Sequence, residues 1–449
     1  MVDLMVGEQQ SGAADKGVPA GFKMTEVGVI PQDWECVPFG NLFKTSIKKK
    51  NVSDHELVSF IGMQDVSEDA QLKNSIQLPF KEVKSGFTYF EKGDVLLAKI
   101  TPCFENGKGC HTAELPTNIG FGSTEFHVLR ENEDSDSRFI YFWTTDIKFR
   151  ASLESEMVGS AGHRRVPLVA IKTFLIPCPK NKQEQSAIAN TLSDIDDLII
   201  ASEKLIAKKQ AIKTATMQQL LTGKTRLPQF ALRDDGSVKG YKKSELGDIP
   251  EDWVLTNIGQ FTNCCAGGTP STKISAYWGG THPWMSSGEL HLKQVYTVAD
   301  NITDEGLANS STKYVPKNSV LVGLAGQGKT RGTVAINRIE LCTNQSIAAI
   351  FPSEHHSTEF LFYNLDNRYE ELRSLSTGDG GRGGLNLTII RKLHLAFPPK
   401  EEQTAIAAIL SDMDKDIQTL QQRLDKTRQL KQGMMQELLT GKTRLIERN

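Results

Sequence analysis

No run of 18 apolar residues occurs in the 449-residue chain, so no helix of the usual kind could cross a bilayer. Excess charge of one sign is also missing: 52 Lys and Arg stand against 54 Asp and Glu, a net charge of −2. A nucleic-acid binder usually carries a basic excess, so polyanion binding would have to come from local patches or from partners. Cysteine is sparse and unpatterned. The seven (Cys36, Cys103, Cys110, Cys178, Cys264, Cys265 and Cys342) are odd in number and contain no Cys-x-x-Cys pair. That argues against a disulfide framework and a zinc site, and for reduced thiols in a cytoplasm. Residues 1–24 lack an apolar core, so they do not read as a signal peptide; a flexible extension is expected. Enzyme signatures are scarce too. Phe397-Pro398-Pro399-Lys400 lacks the polar and aromatic members of an amino-methyltransferase loop. The nuclease-like Glu82-Val83-Lys84 is too short to carry an assignment, and His355-His356 has no third ligand nearby and reads as a solvated loop.

What is present is a repeat. Gly28-Val29-Ile30-Pro31-Gln32-Asp33-Trp34 is answered by Gly247-Asp248-Ile249-Pro250-Glu251-Asp252-Trp253. Gln185-Ser186-Ala187-Ile188-Ala189 is answered by Gln403-Thr404-Ala405-Ile406-Ala407, and residues 220–227 recur identically at 438–445 as Leu-Leu-Thr-Gly-Lys-Thr-Arg-Leu. A fainter match pairs Phe139-Ile140-Tyr141-Phe142 with Phe360-Leu361-Phe362-Tyr363. The chain is therefore two copies of one unit, each a mixed globular part followed by a long helix. The middles, 44–135 and 262–355, share almost nothing. One frame carrying two different readers is the sharper interpretation; one frame with decayed loops is the plainer one.

Both copies carry a helical stripe. In the second, Ile406, Leu410, Met413, Ile417, Leu420, Leu424, Leu430, Met434 and Leu438 form a coiled-coil seam. In the first, Ile188, Leu192, Ile195, Ile199, Ile206, Ile212 and Leu220 do so, weakened by Ser202 and Thr216. Gly223 and Gly441 follow as helix stops, with cations just beyond. Each helix would be about 50 Å long at 1.5 Å per residue and needs a partner. The expected fold is α+β: two mixed, strand-rich domains separated by two long antiparallel coiled-coil helices, pseudo-two-fold. The expected boundaries are an extension at 1–24, a first domain at 25–182 and a central helix at 183–227. A second domain follows at 228–400, entered through a linker at 228–246, and a C-terminal helix at 401–449. Helices packed only on their own domains are the alternative. Strands are expected at 95–100, 319–324 and 334–336, and short helices at 137–155 and 357–375.

Residues 323–330, Gly-Leu-Ala-Gly-Gln-Gly-Lys-Thr, satisfy the phosphate-loop pattern. A phosphate loop must run into a helix, whereas Arg331-Gly332-Thr333-Val334-Ala335-Ile336 reads as a turn into a strand. A glycine-rich hairpin presenting Gln327, Lys329 and Arg331 fits better, and those side chains suit phosphates and base edges. Other candidates are Lys48, Lys49 and Lys50; Lys99, Asn106 and Lys108 around a turn after a strand; and His163, Arg164 and Arg165 after a glycine-rich stretch. Arg382 is their counterpart in the second copy, and Trp284 with Ser286 and Ser287 offers an aromatic beside hydroxyls. Any one cluster could be solvated surface. Their similar places in both copies favour a polyanion surface.

The repeated Ile-Pro-x-Asp-Trp, the Glu-Gln-x-Ala-Ile helix starts at 184–188 and 402–406, and the Leu-Leu-Thr-Gly-Lys-Thr-Arg-Leu helix ends resemble the specificity subunit of type I restriction-modification systems. The segment from Trp284 to Ile336 resembles one of that family's target recognition domains. The resemblance covers nearly all the chain after residue 24. It implies that each target recognition domain reads one half of a split sequence in double-stranded DNA through the major groove. It also implies that the paired helices set the spacer and dock two modification subunits. No cofactor would bind this chain; S-adenosylmethionine, ATP and magnesium would belong to the modification and restriction subunits, and the location would be the cytoplasm of a bacterium or archaeon, away from membranes. The chain would be non-catalytic by itself. Two other readings stay open: an ATP-binding enzyme using Lys329, and a coiled-coil scaffold binding only protein.

Overall fold

The computed structural model describes residues 3–4, 18–160, 162–326, 328–375 and 384–446. It divides into two compact units that do not follow chain order. One comprises residues 1–202 with 423–449; the other comprises 203–422. Both cuts fall inside the long helices, Lys182–Leu220 and Lys400–Leu438.

In the first unit, one antiparallel sheet runs in the order Phe43–Lys44, Phe126–Glu131, Val95–Ala98, Gly109–His111. A second runs Ile76–Pro79, Leu57–Ile61, Ile119–Gly122, Thr88–Glu91, with its two middle strands parallel. In the second unit, one sheet runs Cys264–Ala266, Ile347–Ile350, Val320–Gly323, Val334–Asn337, then Gln294–Val295. The other runs Asp300–Ile302, Trp278–Met285, Leu341–Thr343, Tyr314–Val315, again with a parallel middle pair. The two middles that share almost no sequence thus share strand order and strand direction, and differ by one added edge strand. Several of these strands, Val95–Ala98 and Val320–Gly323 among them, are buried at every position. They therefore read as continuous apolar runs rather than as alternation.

The predicted short helices appear as broken pairs: Ser137–Thr145 with Ile147–Ser155, and Thr358–Asn367 with Tyr369–Ser374. Asp146 both ends one helix and caps the next, accepting from the Phe149 amide at 2.9 Å. Structure begins earlier than the expected end of the extension, because Phe22–Thr25 pairs with Gly28–Pro31. Its counterpart, Tyr241–Ser244 with Gly247–Pro250, begins in the expected linker and runs past its end. Positive φ at Gly28 (+103°) and Gly247 (+95°) closes each turn.

Within each unit the two helix segments run antiparallel. Asp196 meets Lys431 and Glu184 meets Arg444 in the first unit; Lys209 meets Asp416 and Lys213 meets Asp414 in the second. Each core takes residues from both helices: Ile188, Leu192, Met435 and Leu438 in one, Met217, Leu220, Ile406 and Leu410 in the other. The seam departs from the expected stripe at one step. Leu430 and Ile212 face solvent. The step from Leu424 to Leu430 spans six residues, which rotates Leu430 off the face. Lys431 and Lys213 take the inward place, with side chains 15% and 19% exposed. Each ammonium pairs with an aspartate and lies over a ring, Lys431 over Phe142 and Lys213 over Tyr363. Burial raises the Asp196 pKa, against the pull of Lys431.

Candidate nucleic-acid interface

The repeated motifs, far apart in sequence, converge. In the second unit the Arg226 guanidinium donates to both Asp252 oxygens at 2.8 and 3.1 Å and to both Glu402 oxygens at 2.7 Å. It lies over the Trp253 ring, whose N–H donates to Glu402 at 3.1 Å. In the first unit Arg444 does the same with Asp33 and Glu184, over Trp34. Burial would raise the Asp252 pKa, but the hydrogen bonds from Arg226 and Lys239 hold it at about 2. The hydrogen bond from Arg444 lowers Asp33 likewise. Gly223 and Gly441 sit at φ +72° and +70°, where a Cβ would lie 2.5 and 2.6 Å from Cδ of Pro250 and Pro31. These junctions bind helix end, helix start and domain entry together. They are architecture, and they leave the divergent middles to carry any reading function.

Hairpin turns in those middles hold several of the candidates. In the first unit residues 164–166 are hydrogen-bonded alongside 99–101: Thr101 donates to the Arg164 carbonyl at 2.9 Å and Val166 to that of Lys99 at 2.8 Å. This brings Lys99, Arg164 and Arg165 to one edge, beside the turn that carries Asn106 and Lys108. Their charges are partly answered. Arg165 forms a two-pronged pair with Glu125 at 2.8 and 2.9 Å, and Arg164 reaches Glu105 at 3.4 Å. The hydrogen bonds from Arg165 lower the Glu125 pKa, with burial opposing and Lys99 adding to the shift. Asn106 donates to Glu68, and Lys108 to the Met63 carbonyl. His163 is exposed. Lys48, Lys49 and Lys50 lie on a separate exposed loop. Lys50 pairs with Glu91, and Lys49 stands over Phe121 and lines a cavity of about 360 Å³ with Tyr89, His127 and Leu168.

In the second unit the phosphate-loop match is a hairpin turn. Val322 pairs with Val334, Gly323 donates to the Thr333 carbonyl at 2.9 Å and its own carbonyl accepts from Gly332 at 2.9 Å, and a strand, not a helix, follows. Without helix-terminal amides it lacks the phosphate cradle. Lys329 is exposed on this turn, and Arg331 is half-buried there. Gln327 and Arg382 lie outside the described residues. Trp284 belongs to the core: it is 6% exposed and its N–H donates to the Gly268 carbonyl at 3.0 Å. Ser286 caps a short helix, its amide donating to Glu289, and Ser287 accepts from Asn344. His356 is not a solvated loop residue. It is 4% exposed, bonded to Ser353, and pushed down to about 4 by burial. Among the described residues no group of three or more His, Cys, Asp or Glu could hold a metal ion, and no helix is long and apolar enough to cross a membrane.

Sequence reasoning found the cations and missed what holds them. Glu105, Glu125, Arg150 and Arg373 carry no motif, and each has a partner some 40 or more residues away in sequence.

Comparison with known proteins gives one family. The model of the type I restriction modification DNA specificity domain matches residues 31–214 and again 250–428. The MjaVIII specificity subunit of Methanocaldococcus jannaschii is 24% identical over 430 residues, 94% of this chain and 95% of that one. The EcoEI specificity subunit of Escherichia coli is 34% identical over 173 residues, 37% of this chain; that match spans only 28% of the relative's length, and that to the EcoAI subunit 27%. Among solved structures, the type I restriction-modification S subunit from M. genitalium aligns with a TM-score of 0.55 at 14% identity, over 90% of this chain and 96% of that one. A chain from work on complex assembly and conformational transition of the type I R-M system aligns at 0.55 and 15% identity, over 92% and 99%. At such identity these likenesses establish the fold.

Proposed function

The chain belongs to the type I restriction modification DNA specificity family, and from that premise we propose that each of its two strand-rich domains reads one half of a bipartite target in double-stranded DNA. The helix segments set the unread spacer and dock two modification subunits. Catalysis and its cofactors, S-adenosylmethionine, ATP and magnesium, belong to modification and restriction subunits. One observation carries the reading: two turns at the same place in the same sheet topology present different polar side chains, Lys99 and Asn106 on one, Lys329 and Arg331 on the other. A shared scaffold fixes where DNA would lie, and dissimilar turns give dissimilar base preferences. A near-neutral chain suits a subunit whose partners supply much of the phosphate grip.

The test is a domain exchange. Residues 262–380 are replaced by the corresponding region of a family member, and methylated adenines are mapped in cells that also carry the modification subunit. One half-site should change while the other and the spacer stay. A simultaneous change of both half-sites defeats the proposal of independent readers.

A further inference from the structure

Two arginines outside every motif do the same thing in the two units. In the first, Arg150 lies on the second helix of the pair, Ile147–Ser155. Its fork donates to the carbonyls of Phe104 at 2.7 Å, Gly107 at 3.1 Å and Lys108 at 3.4 Å, while Nε donates to Thr144 at 2.6 Å. In the second, Arg373 lies on the second helix of the matching pair, Tyr369–Ser374. It donates to the carbonyls of Gly328 at 2.6 Å and Arg331 at 3.3 Å, and to the Tyr369 hydroxyl, which itself donates to the Lys329 carbonyl at 3.1 Å. Both bound segments are the turn between equivalent strands: Val95–Ala98 and Gly109–His111 in one, Val320–Gly323 and Val334–Asn337 in the other.

The chemistry is unusual for an arginine. Arg150 is 8% exposed, yet its hydrogen bonds go to backbone carbonyls, not to a carboxylate. Burial of a cation is costly, and an ion pair is its ordinary relief. Here the planar fork ties together carbonyls several residues apart in one turn, which fixes that turn's shape. The turns need fixing: Gly107 and Gly328 sit at φ +87° and +72°, backbone that glycine adopts freely and could as freely leave. Gly332 brings the chain within reach of the same helix, where a Cβ would lie 3.2 Å from Cγ of Arg373.

We propose that Arg150 and Arg373 are equivalent positioning residues, each clamping the backbone of one DNA-reading turn so that its side chains meet base edges in a single geometry. This rests on the reading of the turns as DNA contacts. Neither arginine touches DNA; each acts through the turn. The two are equivalent in topology and not in register, so the repeat does not reveal them. The clamp has a specific consequence. Loosening it costs discrimination at one half-site, because a mobile turn still offers its cations to phosphates but presents base contacts in many geometries.

The experiment uses the full chain assembled with its modification subunit, and selection from a duplex library randomised at both half-sites. Arg373→Met should lower the preference at the second half-site about ten-fold, leave the first unchanged, and change affinity for random duplex little. The Arg373 bonds all come from Nη1, so Arg373→Lys, which keeps the charge and one donor nitrogen, should recover part of the preference, whereas Arg150 uses three nitrogens that a lysine cannot replace. Arg150→Lys should reproduce the loss at the first half-site only. Thermal unfolding of each variant is measured alongside. Equal loss at both half-sites together with a lowered Tm would mark a merely structural role and overturn the proposal, as would wild-type preference in Arg373→Met. If the wild-type complex itself selects no bipartite sequence, the DNA-reading function fails instead.

Discussion

The junction that closes each unit and the turn that decorates it obey opposite rules. At the junctions the same residues recur: Arg226 with Asp252, Glu402 and Trp253, and Arg444 with Asp33, Glu184 and Trp34. A guanidinium gripping two carboxylates over an indole tolerates few other side chains. The turns keep only their place between two strands, because a hairpin within a buried sheet asks for apolar strands and leaves the tip open. Identity is thus retained where geometry demands particular atoms, and lost where topology alone is demanded. The junctions are not quite equals. The Arg226 side chain is 6% exposed and that of Arg444 35%, and Trp253 donates to Glu402 whereas the buried Trp34 N–H has no hydrogen-bond partner among the described residues.

That inequality can be tested directly. Arg226→Ala leaves Glu402, which is fully buried, without its cation, and should destabilise the second unit by about 3–5 kcal/mol. Arg444→Ala, at the more exposed junction, should cost the first unit less, about 1.5–3 kcal/mol. Hydrogen exchange reads the units separately, which a single melting curve of a two-unit protein does not. Equal losses would mean that exposure does not set the strength of the junction. Gly223→Ala and Gly441→Ala probe what the two share. Left-handed φ and a proline in the way should cost about 1–3 kcal/mol at either, and a clear disparity would break the equivalence. The smallest effect at neutral pH is expressed only in acid. Burial pushes His111 and His356 down to about 4 from an ordinary 6.5. Each of these two imidazoles is held neutral, and its contribution is complete above pH 6.5 and is lost as pH falls through about 4; in the first unit His127 is lowered by burial in the same direction. His111→Gln should reduce that slope in the first unit, where His127 still contributes, and spare the second; unchanged exchange profiles between pH 7 and 4 would refute the assignment.

Much of the frame was legible in the sequence. Eight identical residues at a fixed offset reveal a duplication, and apolar steps of three and four reveal the helices. The six-residue step from Leu424 to Leu430 carried the warning that the seam would turn, and Lys431 and Lys213 fill the place it vacates. The shared topology of the middles was hidden, since strands buried at every position lack the alternation that marks a sheet face. Trp284 misled because an aromatic beside hydroxyls looks like a binding site, whereas its N–H is satisfied inside the fold. Arg150 and Arg373 left no trace, because a carbonyl accepts a hydrogen bond whatever side chain its residue carries.

The division of the chain into units also sets an order of events during synthesis. The first unit takes Met435, Leu438 and Leu439 into its core and Arg444 into its junction. The N-terminal half of the chain therefore leaves the ribosome with part of its apolar interior uncovered, and it stays so through more than two hundred residues of further translation. The second unit, whose residues run unbroken from 203 to 422, has every part it needs before the first does. The domain made first is the one finished last. In that interval its open core is the surface most exposed to chaperones, proteases and misassembly with another nascent copy.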